Sequence, residues 1–163
     1  MKKVIIIFFT ILLSTSICSQ QKSNFWENVS YGGGIAIGFG NNNSTIGISP
    51  SAIYNFNNGF ALGAGLGYLR SRINDFTTTA YNTSIISLYQ TNFGIQFSGE
   101  FEYYFARQRD NFDEVSTNFP ALHLGIAYNQ GRRFAFGIRY DVLYDDSRSI
   151  FASPISPIVR FYF

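Results

Sequence analysis

Ile155-Ser156-Pro157-Ile158-Val159-Arg160-Phe161-Tyr162-Phe163 closes the chain. Ile155, Pro157, Val159, Phe161 and Phe163 fall on one side of an extended backbone and Ser156, Ile158, Arg160 and Tyr162 on the other, because successive side chains of a strand point to opposite faces. A final aromatic residue in register with four apolar neighbours predicts a chain that finishes inside a sheet.

The same period of two runs through the preceding sequence. Val29, Tyr31, Ile35, Ile37 and Phe39 oppose Ser30, Gly32, Gly34, Ala36, Gly38 and Gly40. After an Asn41-Asn42-Asn43-Ser44 turn, Ile46, Ile48, Pro50, Ala52, Tyr54 and Phe56 oppose Gly47, Ser49, Ser51, Ile53 and Asn55. Asn57-Asn58-Gly59 supplies the positive φ of a tight hairpin, and Phe60, Leu62, Ala64, Leu66 and Tyr68 follow. A fourth strand is expected from Thr83 to Gln90, where adjacent Ile85 and Ile86 blur the pattern. Further strands run from Phe93 to Phe105, from Leu122 to Asn129 and from Phe134 to Tyr144. With the closing strand, the expected fold is all-β with eight strands.

Composition points to the surroundings of these strands. Charged residues are 13% and aromatics 18%, against about 25% charged in a soluble domain. A chain this apolar without long apolar runs spreads its hydrophobic residues along alternating strands, which is the signature of a transmembrane β-barrel. The polar face is mainly Gly, Ala and Ser with a few charges, which suits the crowded lumen of an eight-stranded barrel better than a soluble exterior. Links near 57–59, 90–92 and 130–133 are tight. Those near 73–82, 107–118 and 145–152 are expected to be long and polar, the alternation of inner turns and outer loops seen in such barrels. Phe60, Tyr68, Phe93, Phe105, Tyr128, Phe134 and Tyr144 fall where interfacial girdles are expected. The reading is an eight-stranded antiparallel up-and-down transmembrane β-barrel.

At the other end, Met1, Lys2 and Lys3 form a basic start and Val4 to Leu13 an apolar core. The small, polar run Ser14 to Ser19 completes the pattern of a secretory signal peptide, and the apolar core falls short of the roughly 20 residues of a spanning helix. Residues 1–19 are therefore expected to be removed, by cleavage after Cys18 or Ser19, leaving 20–163 as one barrel domain. A lipoprotein would acylate Cys18 instead, but Ile17 is bulky for the position before a lipidated cysteine. Of 12 basic residues Lys2 and Lys3 lie in the signal, leaving ten against ten acidic ones. That balance gives no basic field for nucleic acid. Loss of Cys18, the one cysteine, excludes a disulfide framework.

The alternating C-terminal strand with its terminal Phe163, Phe161 and Val159 resembles the assembly signal of Gram-negative outer-membrane barrels. Longer stretches, Phe25 to Asn41 (FWENVSYGGGIAIGFGN), Ser49 to Asn57 (SPSAIYNFN), Gly99 to Phe105 (GEFEYYF), Phe136 to Tyr144 (FGIRYDVLY) and Ser156 to Phe163 (SPIVRFYF), resemble a family of short, uncharacterised outer-membrane proteins. The resemblance implies an outer-membrane location, with outer-membrane lipids and the barrel-assembly machinery as partners, and is compatible with a monomer. Some members of that family carry an alpha-ketoglutarate decarboxylase label. That activity belongs to large thiamine-diphosphate enzymes, and neither a diphosphate-binding Gly-Asp-Gly motif nor a Rossmann-like unit occurs here.

The lumen-facing set able to carry chemistry is Glu100, Glu102, His123, Arg139, Asp141 and Arg160. Paired carboxylates near a histidine read as an acid/base site. They read equally as a plug in which two arginines and three carboxylates neutralise one another, since buried charges must be paired. No cofactor is expected, and one histidine with no cysteine in the mature chain makes a poor metal site. A lipid A-modifying hydrolase would need a serine beside His123, and two residues on stands Gly125. The expectation is a non-enzymatic envelope barrel with a plugged lumen, structural or acting through loops such as Gln108 to Asn118. The alternatives are a narrow pore and the hydrolase.

Overall fold

A computed structural model describes residues 25–40, 43–73, 76–109, 114–130, 133–145, 147, 149–151 and 153–163. A 3₁₀ turn at Trp26–Asn28 leads into eight strands. They are β1 (Val29–Gly40), β2 (Asn43–Asn55), β3 (Phe60–Ile73), β4 (Phe76–Gln90), β5 (Ile95–Arg109), β6 (Glu114–Gln130), β7 (Phe134–Asp141) and β8 (Ile155–Tyr162). Each pairs antiparallel with its neighbours in sequence, and β1 pairs with β8, so the sheet closes into an eight-stranded up-and-down barrel. This is the fold the alternation predicts.

Two tight turns take their shape from glycine. Gly59 has φ +84° and Gly94 φ +88°, a region that only a residue without Cβ enters freely. Asn58 Oδ1 accepts the Phe60 amide at 3.1 Å, so the Asn-Asn-Gly turn holds itself closed as its residues predict.

Strands β4 to β6 are longer than expected. Thr77 to Asn82 pair with Arg72 to Gly67, and Arg107 to Arg109 pair with Ser116 to Glu114, so most of the two long connections expected near 73–82 and 107–118 is strand. Threonine is polar but β-branched and fits a pleated ladder. β7, in contrast, ends at Asp141, three residues before Tyr144. The connection to β8 is long, as expected. The signal segment with Cys18, and Asn41, Asn42, Asp110, Phe112, Asp113, Asp146 and Arg148, lie outside the described residues.

The barrel is apolar outside. Ile46, Leu66, Ile85, Leu124 and Ile138 are more than half exposed. The adjacent isoleucines of β4 obey the period after all: Ile85 is 60% exposed and Ile86 7%. Inside, an apolar floor near the tight turns gathers Ile53, Ile86, Leu88, Ile158 and Tyr162 around small alanines. A roof at the other end gathers Tyr104, Phe119, Ala80, Ala106 and Ala121, with Leu69, Ile150 and Phe151 packed against it. Ile150 and Phe151 come from the β7–β8 connection, which folds back over the lumen. Polar side chains fill the space between floor and roof.

Closure pairs Gly32, Gly33 and Gly34 of β1 with Tyr162, Phe161 and Arg160 of β8. The Tyr162 amide points to Arg133 beside β7, and the Phe163 amide points to Tyr31 in β1. Stepping back in twos from Phe163 brings Pro157 to the β1 side, where it has no amide to donate. A side chain at Gly32 would run into the Phe161 carbonyl oxygen.

Candidate functional site

β5 builds one wall of the interior. Its period of two turns Gln96, Ser98, Glu100, Glu102 and Tyr104 inward, all buried. The facing strands supply the cations. Arg139 of β7 sends Nη1 to Glu102 Oε1 at 2.7 Å and Glu100 Oε2 at 3.3 Å, and its Nε donates to Ser156 at 3.0 Å. Arg160 of β8 forms an ion pair with Glu100 and donates to Gln96 Oε1 at 3.0 Å and Ser98 Oγ at 3.2 Å. Two carboxylates and two guanidiniums thus share one buried network.

Neutral groups complete it. Tyr104 donates its hydroxyl to Glu102, as does Asn82 Nδ2 at 3.0 Å. Ser98 Oγ donates to Glu100 Oε1 at 3.1 Å, and the Tyr162 hydroxyl donates to Gln96 at 3.3 Å. A carboxylate offers about four acceptor sites, and these donors serve the lone pairs that the arginines leave free. Low dielectric strengthens such a network when it is satisfied and penalises it when it is not.

Six residues were expected in the network, and the structure sorts them into three roles. Glu100, Glu102, Arg139 and Arg160 form the ion pairs. His123 shares a row with Glu100 and Asp141, yet its Nδ1 is buried without a hydrogen-bond partner among the described residues, 3.8 Å from Glu102 Oε1. Asp141 is buried but turns to backbone, its Oδ1 accepting the Leu122 and Leu143 amides at 3.0 Å each. It ties off the end of β7, and no ion pair to it is found among the described residues.

Sequence alternation places Gln96, Tyr104 and Ser156 on the inward faces of their strands without assigning them to the network, and it leaves Asn82 in an expected link, whereas the structure turns all four inward. It also missed that a serine does stand beside Gly125: Ser98 is its register partner on β5. That hydroxyl is engaged with Glu100. Among the described residues no three His, Cys, Asp or Glu side chains gather as a metal site requires.

At the C-terminus Val159, Phe161 and Phe163 all turn outward. Phe163 is 91% exposed, and its amide donates to the Tyr31 carbonyl at 2.7 Å. Of the expected girdle residues, Tyr144 lies instead in the β7–β8 connection, where its hydroxyl donates to the Phe151 carbonyl at 3.0 Å. No protein-family model matches the chain, and no curated protein matches it in sequence.

Proposed function

We propose that this chain is a small outer-membrane β-barrel protein of a Gram-negative envelope, with a lumen sealed by its own side chains and a structural or loop-mediated role rather than an enzymatic one. The observation that carries the reading is inversion. Leu66 at 63%, Ile85 at 60% and Ile138 at 58% exposed stand on the outside, while Glu100, Glu102 and Arg160 stand inside at 7% or less. An apolar patch extending around a whole barrel is disfavoured in water and is what a lipid-facing wall requires. On β5 the outward positions Ile95, Phe97, Phe101, Tyr103 and Phe105 cover the roughly 9–11 residues of a tilted spanning strand.

Sealing follows from three stacked layers: the apolar floor, the ion-pair network and the aromatic roof. Eight strands leave an interior just wide enough for side chains, and here aliphatic, charged and aromatic groups fill it in turn. Outer-membrane lipids and the barrel-assembly machinery are the partners this reading implies, and a cofactor has no part in it.

Flotation with lipid vesicles and planar-bilayer conductance of the refolded protein test the two parts separately. The protein should float with vesicles and show no sustained single-channel current. Steady conductance would replace the sealed lumen with a narrow pore. A protein that stays in solution beside the vesicles would overturn the membrane location.

A further inference from the structure

We propose that the outer wall of β3 to β6 binds the phosphate-bearing headgroup of a lipid, an inference that rests on the membrane reading above. Among the described residues, the outward faces of all eight strands carry five charged side chains: Arg70, Arg72, Arg107, Arg109 and Glu114. All five sit on β3, β5 and β6, at the end away from the tight turns.

Register gathers them into two rows. Arg70 pairs with Thr79 and Thr79 with Arg107, while Arg72 pairs with Thr77 and Thr77 with Arg109. The β4 threonines therefore lie between arginines of the flanking strands. Immediately toward the middle of the barrel comes a row of Tyr68, Tyr81 and Phe105, with the two tyrosine rings 5.3 Å apart. Beyond it lie the exposed Leu66, Ile85 and Phe101. Arg70, Thr79, Tyr81, Phe105, Arg107 and Arg109 are among the residues lining a groove of about 660 Å³ on this wall.

Among the described residues the charge on this wall is unbalanced. Glu114 engages Arg107 at 3.1 Å and Arg109 at 2.6 Å, and Arg70 and Arg72 have no carboxylate partner among the described residues. Among the described residues four guanidiniums thus meet one carboxylate. The order of chemistry along the wall, from cation to aromatic to aliphatic, matches a molecule that is anionic at one end and hydrocarbon at the other. Guanidinium forks suit phosphate oxygens, and aromatic rings belong at headgroup depth. A free anion would gain nothing from the aromatic and aliphatic rows.

The test uses the mature protein in vesicles of phosphatidylcholine, with and without a minor fraction of phosphatidic acid, whose headgroup is a phosphomonoester. Floated protein is released into mild detergent and its retained lipids are weighed by native mass spectrometry. Phosphatidic acid should be retained about tenfold over phosphatidylcholine, and a variant combining Arg70→Gln with Arg107→Gln should float but lose that preference. Thr79→Glu, which adds a carboxylate between the two arginines without removing either, should lose it as well. Equal retention of both lipids by the native protein, or full preference in both variants, overturns the headgroup site while flotation leaves the barrel reading standing. Failure to float with either vesicle overturns the membrane reading, and this site with it.

Discussion

Arg139 on β7 reaches across the lumen to Glu102 on β5, its Nη1 2.7 Å from Oε1. The same nitrogen lies 3.3 Å from Glu100, so one guanidinium holds two carboxylates that would otherwise repel each other. Arg139→Met should therefore destabilise the barrel by about 3–5 kcal/mol, the cost of leaving a buried charge unpaired. Removing Arg139 and Glu102 together, as methionine and glutamine, should cost less than the two single changes added. A double-mutant cycle from urea unfolding in detergent reads the coupling directly.

Phe151 holds the β7–β8 connection over the roof, its ring edge-on to Tyr104 with centroids 5.5 Å apart. An aromatic pair contributes about 0.5–1.5 kcal/mol beyond the area it buries. Phe151→Ala should free the connection while leaving the strands paired. Limited proteolysis should then cut between residues 145 and 153 faster than in the native protein, with the unfolding midpoint of the barrel little changed.

Phe163 contributes almost nothing to packing, being 91% exposed. Replacing it with aspartate keeps its amide's bond to Tyr31 and should leave the stability of in vitro refolded protein nearly unchanged, whereas deleting it also removes that bond. Either change should lower the amount assembled in cells. Heat-modifiable protein in the outer-membrane fraction is the readout. Normal levels after deletion would remove the terminal aromatic as an assembly signal.

Glu114, at the tip of the β5–β6 hairpin, is held below its ordinary carboxyl value of 4.5 by its hydrogen bond to Arg109 and by the nearby Arg107 charge. A depressed value in the folded state means that the carboxylate's contribution is complete above the ordinary value and fades as pH falls through the folded one. Carbon-13 NMR of the Glu114 carboxyl should therefore show a midpoint below 4.5. Arg109→Gln should move it upward.

Strict alternation made the barrel legible wherever one face is apolar, as from Ile155 to Phe163 and from Phe93 to Phe105. Where neither face is apolar the signal vanished although the ladder continues, which is why Thr77 to Asn82 and Glu114 to Asn118 read as loops. The charged centre of the lumen was legible because its six residues stand next to outward aromatics or aliphatics on their own strands. The aliphatic floor was harder to see: Ile53, Ile86 and Ile158 break the polar pattern singly, on three different strands. Asp141's bonds to backbone and the two arginine rows depend on register between strands, which no single strand records.

The seam between β1 and β8 bears on time as well as strength. Seven of the eight ladders join strands adjacent in sequence, whereas Gly32, Gly33 and Gly34 must find Tyr162, Phe161 and Arg160 at the far end of the chain. Hairpins can form locally and add one to the next, but that last encounter spans nearly the whole polypeptide, and non-local pairing is the slow part of folding. Three residue pairs and the bond from the Phe163 amide to Tyr31 reward it. The narrowest ladder is therefore the step expected to set the barrel's folding clock.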